Sequence, residues 1–170
     1  FKDCRIPKEN LIGEEGKGLS YALETLDETR TTLTAGFIGL ARACLDEAVK
    51  YAKGRTSFGK PLFHRQAISM PLAEVAALID AARLLNFKAA WLHEQGKSHT
   101  VETAKAKALA TKAMLDAANT AVEVHGGFGC TKRLVVERFY RDARIWSFAQ
   151  GTPQIIKFVI SRDLFGKYSM

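Results

Sequence analysis

The sequence is poor in the residues that build metal centres and covalent frameworks. Its three cysteines, Cys4, Cys44 and Cys130, lie far apart, with no CxxC and no Cys/His cluster. An odd, scattered set argues against structural zinc and against a disulfide framework, and a reducing compartment is the simple inference. The four histidines, His64, His93, His99 and His125, show no ligand spacing, and His93 and His99 read as solvated helix-end residues. No apolar run is long enough to span a bilayer. There is also no block of basic residues. The net charge is +7, but Lys and Arg are scattered among Asp and Glu. Such a surface can attract nucleic acid, an acidic membrane or a phosphate-rich small molecule, and the scatter makes nucleic acid the weaker reading. The N-terminus, FKDCRIPKEN, lacks an apolar core segment, so no signal peptide is expected. It opens on Phe, and a fragment or processed piece is expected. Internal repeats, low-complexity segments and, after Gly18, hairpin signals are all missing.

What is present is helical periodicity. Residues 1–18 contain Pro, Asn and several Gly and read as an extended lead-in. From Leu19 to about Lys53 the residues Leu23, Leu26, Leu33, Phe37, Leu40, Ala41, Cys44, Ala48 and Tyr51 recur at steps of three and four. That spacing predicts a long amphipathic helix, with Gly54 as its C′ residue. A second helix is expected from about Gln66 to Glu94, with Phe87 and Trp91 among its apolar positions. A third, Ala-rich helix spans about Val101 to Val124, with Thr100 as N-cap. A short helix covers about Leu134 to Tyr140, and a last one runs from GTP to about Leu164. Long helices with short connections imply an all-α, antiparallel up-down-up-down four-helix bundle over residues 19–170.

Four connecting stretches could carry chemistry. GRTSFGKPLFHR offers a guanidinium fork, hydroxyls and an aromatic ring at a helix end, a set suited to a phosphate and a flat ring. On residue types alone, a plain solvated loop is the competing reading. The paired glycines of HGGFG allow close backbone approach to a ligand, or simply end a helix. ERFYRDARIW is dense in opposite charges, and an ion-pair network holding the short helix to the bundle is expected. In FAQGTPQI, Thr152 is a natural N-cap with Pro153 at N1, and such a helix start favours an anion.

In order and spacing these stretches go together. LDETRTTLTAGFIGLARACLDEAVKYAKGRTSFGKPLFHRQAI, then EVHGGFG, then RDARIWSFAQGTPQI closely resembles the C-terminal domain of acyl-CoA dehydrogenases. The resemblance covers nearly the whole chain, and residues 1–18 resemble the end of that family's preceding β-domain. It implies a four-helix bundle, FAD as cofactor, an acyl-CoA thioester as substrate and a homo-oligomer, dimer or tetramer. It also implies an electron-transfer flavoprotein as redox partner, and a prokaryotic cytoplasm or mitochondrial matrix as location. No nucleic acid and no membrane span are expected.

Carried over position by position, Arg55 and Ser57 would contact the FAD pyrophosphate of a neighbouring subunit. Phe58 would pack near the cofactor, Gln66 would bond it, and Gly126 and Gly127 would admit its adenosine side. Where the family often has Gln, this chain has Glu123. Thr152 and Gln154 would contact the FAD of the same subunit. Arg30 matches the arginine lining the reacting end of the substrate site, and Asp27 is the neighbouring candidate for the CoA portion. The family reaction removes a proton from Cα of the thioester while Cβ gives a hydride to the flavin, so it requires a carboxylate base. Its commonest place is the Glu of a Y-E-G-T motif, which reads F-A-Q-G-T here, so the position is Gln150. An amide cannot take that proton. The family's other location for the base, one residue before the arginine, is Thr29. Three explanations stay open: altered or absent dehydrogenase chemistry, a base from other domains, or an introduced substitution.

Overall fold

The computed structural model describes residues 1–168. Residues 1–17 are irregular apart from a 3-10 turn at Lys8–Asn10. Five α-helices follow among the described residues: α1 Gly18–Gly54, α2 Gln66–Glu94, α3 Thr100–His125, α4 Val136–Trp146 and α5 Pro153–Tyr168. The fold is a helical bundle, and none of these helices is long and apolar enough to cross a membrane.

Side-chain contacts fix the directions. Asp27 of α1 accepts a bond from Thr100 at the start of α3, and Tyr51 near the end of α1 stacks on His125 at the end of α3, so these helices run parallel. Asn86 late in α2 donates to the Thr31 carbonyl early in α1, so α2 runs the opposite way. The α4 helix descends from the α3 end, placing Trp146 against Phe37 and Gly36 of α1.

The α3 helix is the strut of the bundle and packs against all four others. Its buried face is Ala104, Ala106, Ala110, Ala113, Met114, Ala117, Ala118 and Ala121. Methyl-sized side chains let the neighbouring helices approach closely, and alanine adds the best intrinsic helix propensity. Phe37, Ala41, Cys44 and Ala48 complete the core from α1.

Several expectations are corrected. The buried stripe of α2 is Leu72, Val75, Ile79, Ala82, Asn86 and Ala89, which leaves Phe87 and Trp91 exposed with Leu84 on the opposite face. The run from Leu72 in steps of three and four misses both aromatics. Gly54 lies inside α1, and the C-cap is Arg55 in an extended conformation. Thr100 does not cap α3; that place is taken by His99, whose carbonyl accepts from the Thr103 amide at 2.8 Å. Helix α4 extends to Trp146 rather than Tyr140. Its charges pair within the helix, Glu137 with Arg141 at 2.9 Å and Arg138 with Asp142 at 3.9 Å, and no ion pair among the described residues ties it to the bundle.

GRTSFGKPL is also not a plain loop. Strands β1 (Thr56–Ser57) and β2 (Lys60–Pro61) pair antiparallel around Phe58 and Gly59, both with positive φ. Two successive left-handed residues make the tight turn that matches strand twist, and glycine at the second allows it.

Candidate functional site

The residues singled out in the sequence collect at the two ends of the bundle. At one end are the hairpin, the start of α2 and the end of α3. At the other are the start of α1, the start of α3 and the turn before α5. From Arg30 to Gly54 the 24 intervening steps of α1 put the ends ~36 Å apart at 1.5 Å per residue.

At the hairpin end, the Phe58 ring is 93% exposed and protrudes from the turn. Arg65 supports it from behind: its guanidinium stands 5.6 Å from the ring centre and donates to the Ser57 carbonyl at 3.0 Å. Arg55 and Gln66 are exposed. Arg55 lines a cavity of about 530 Å³ together with Tyr51, His125, Phe128 and Leu134. Gly126, at φ 62, ends α3 and turns the chain into a 3-10 turn, Gly126–Cys130. Gly126 and Gly127 are exposed, and a methyl group at either would meet nothing within 4 Å. The tight position is Gly129, where a Cβ would sit 2.9 Å from the Val122 carbonyl oxygen. Glu123 is exposed, and its carboxylate accepts from Asn119 at 2.8 Å.

At the other end the arrangement is denser. Arg30 is 6% exposed. Its Nη1 donates to Asp27 at 2.6 Å and its Nε to the Gln150 carbonyl at 3.2 Å. The other oxygen of Asp27 accepts from Thr100 at 2.9 Å. Gln150 has φ 51, a left-handed conformation that non-glycine residues adopt at a cost, and it requires surrounding support. Its Nε2 donates to the Thr29 hydroxyl at 3.1 Å, and its Oε1 is buried without a hydrogen-bond partner among the described residues. Both positions expected for a base therefore touch each other, and they hold an amide and a hydroxyl. Glu28 is exposed.

A residue that sequence reading passed over holds this turn. Lys107, two turns into α3, is 1% exposed. Its Nζ donates to the carbonyls of Ala149 and Gly151, both at 2.5 Å. Burial, and secondarily the Arg30 charge, push its pKa down to about 8. Three successive carbonyls, those of residues 149, 150 and 151, are thus each held by a buried cation. The signal in the sequence was a lysine lying on the apolar stripe of α3, one turn before Thr111 and Ala110.

Beyond the turn, Thr152 Oγ1 accepts from the Ile155 amide at 3.4 Å, the N-cap geometry expected for α5. Thr152 and Gln154 are exposed at that helix start. No group of three or more His, Cys, Asp or Glu forms a metal site among the described residues, and Cys4, Cys44 and Cys130 are free thiols.

Residues 16–165 match the family model described as acyl-CoA dehydrogenase, C-terminal domain. The mitochondrial short-chain specific acyl-CoA dehydrogenase of Mus musculus is 44% identical over 168 residues, 99% of this chain and 41% of that protein. A subunit of the caffeyl-CoA reductase–Etf complex of Acetobacterium woodii is 42% identical over 98% of this chain and 44% of its own length. Among solved structures, butyryl-CoA dehydrogenase from Megasphaera elsdenii superposes with a TM-score of 0.91 at 41% identity, over 97% of this chain and 43% of that one. The chain thus spans about two fifths of the length of these relatives.

Proposed function

Because the chain belongs to the acyl-CoA dehydrogenase family, as its C-terminal domain, we propose that it serves a flavoprotein that binds acyl-CoA thioesters. On this reading Asp27, Arg30, Gln150, Thr152 and Gln154 form one wall of the chain's own site. Arg55, Ser57, Phe58, Gln66, Gly126 and Gly127 are offered to the FAD of a neighbouring copy. The observation that carries the reading is the convergence of Arg30 and Thr29 with Gln150, 120 and 121 residues further along the sequence, on one partly buried turn.

The residues present suit FAD. Arg55 makes no ion pair among the described residues, and an exposed guanidinium two residues from the Ser57 hydroxyl on the hairpin suits a pyrophosphate. An aromatic ring projected into solvent from a strained turn gains its packing only from a partner group. When bound, FAD supplies the electron acceptor for oxidation of the thioester at Cβ. The ~36 Å between the two ends supports the view that one chain serves two cofactors, and hence a homo-oligomer. The relative in a caffeyl-CoA reductase–Etf complex supports an electron-transfer flavoprotein as redox partner. Relatives named as mitochondrial, and others from bacteria, support a mitochondrial matrix or a prokaryotic cytoplasm.

The chain's own residues bind and orient without deprotonating. Arg30 holds the turn and is neutralised by Asp27, whose two oxygens are both engaged. Gln150 stands where the base is expected, and its amide cannot accept a proton from Cα. Formation of a 2,3-enoyl-CoA then draws its base from outside these residues, or the protein binds thioesters without oxidising them. The test is anaerobic titration of the intact, FAD-loaded protein with a panel of acyl-CoA esters, for the native sequence and for Gln150→Glu. We expect a spectral shift with little bleaching in the first and bleaching at least 100-fold faster in the second, the scale of general base catalysis. Equal bleaching of both, or none with either, refutes the assignment of Gln150 to the base position.

A further inference from the structure

The turn that carries Gln150 is held in a left-handed conformation by two cations from different helices. Arg30 of α1 takes the middle carbonyl, and Lys107 of α3 takes the carbonyls on either side. We propose that Lys107 is a positioning residue of the site: its ammonium clamps Ala149 and Gly151 so that Gln150 aims its side chain at Thr29 and at the bound thioester. This rests on the reading of the site given above.

Three observations carry it. First, the geometry is bidentate from a single buried atom, and two carbonyls flanking one residue leave that residue little freedom of φ and ψ. Gln150 is the residue so flanked, and it has the unusual φ. Second, no other hydrogen bond to either oxygen is present among the described residues. A Cβ at Gly151 would lie 3.9 Å from Arg30 Nη2, so the turn already rests against the second cation. Third, a lysine only 1% exposed carries a desolvation penalty that a leucine or methionine would avoid. Helix packing does not require an ammonium at this position, whereas the turn does.

The test is a double-mutant cycle in the intact, FAD-loaded protein, with butyryl-CoA as probe and flavin absorbance as readout. Hydrogen exchange of the peptide amides of residues 150–152 is followed in parallel. Lys107→Met should weaken butyryl-CoA at least tenfold when Gln150 is present and less than twofold in a Gln150→Ala background. The exchange of residues 150–152 should rise at least tenfold. Equal losses in both backgrounds, or unchanged exchange, overturn the proposal; a purely structural lysine would give the additive result. If Lys107→Met fails to accumulate folded, Lys107→Gln, which keeps N–H donors on a shorter arm, is read by the same criteria. Absence of any butyryl-CoA response in the native protein counts against the thioester reading of the site, and the exchange of the turn then decides on Lys107 alone.

Discussion

Replacing Gly129 by alanine tests how tightly the hairpin end of the bundle is built. An added Cβ would stand 2.8 Å from His125 Cβ, 2.9 Å from the Val122 carbonyl oxygen and 3.3 Å from Val122 Cα. Carbon atoms prefer contacts of ~3.5–4.0 Å, so all three are overlaps. Two of the three partners are α3 backbone atoms and cannot swing aside. The 3-10 turn must therefore lift off α3, at a cost of ~1–3 kcal/mol, the usual range for forced overpacking. Gly127 is the internal control, since a methyl group there meets nothing. Native-state hydrogen exchange reports the difference locally. Amides of residues 129–131 should exchange ~5- to 150-fold faster in Gly129→Ala than in Gly127→Ala, the ratio equivalent to ~1–3 kcal/mol. Rates within twofold of each other would show that the end of α3 yields freely, and the reasoning from backbone clash would fail.

Two further outcomes are expected. Phe58→Ala removes a ring with almost no packing in the chain, so the unfolding free energy of the cofactor-free protein should change by no more than the ~0.5 kcal/mol typical of surface changes. FAD retention on gel filtration should fall at least tenfold, and unchanged retention would detach Phe58 from the cofactor. Cys44 is fully buried, and burial pushes its thiol up to about 12. Thiolate is the reactive form, so at pH 8 an alkylating reagent should spare the Cys44 peptide until guanidinium is added; prompt labelling under native conditions would refute the packing around it.

The helices were legible because their information is local. Steps of three and four along Phe37, Ala41, Cys44 and Ala48, and the breaks at QGKSHT and GTP, mark segments without reference to the rest of the chain. The site was legible only as residue types, because motif and spacing single out Arg30, Gln150 and Arg55 but not what they touch. Its geometry depends on pairings 42 to 121 residues apart: Lys107 with Ala149, Thr100 with Asp27, Gln150 with Thr29. Lys107 is the plainest case, since a lysine in an AKAK run looks solvated until its face of α3 is seen to be covered by the turn before α5. The hairpin escaped for a different reason. Two-residue strands carry no alternation to read, and only the Phe58–Gly59 dipeptide hinted at the turn. On α2 hydrophobicity does not mark burial: Phe87 and Trp91 are exposed, whereas the packed stripe includes Asn86, bonded to the Thr31 carbonyl at 3.1 Å.

Helix α1 runs without a break from Gly18 to Gly54 and carries Arg30 about a third of the way along and the hairpin at its C-terminal end. An unbroken hydrogen-bonded ladder transmits rotation as rigidly as it transmits length. Adding or removing one residue anywhere between those points would shift the spacing by only ~1.5 Å but would turn one extremity by ~100° relative to the other. The helix therefore acts as a phase-keeping axle. Its residue count between Arg30 and Gly54 is fixed by the direction in which each end must face, so variation along it is confined to substitution.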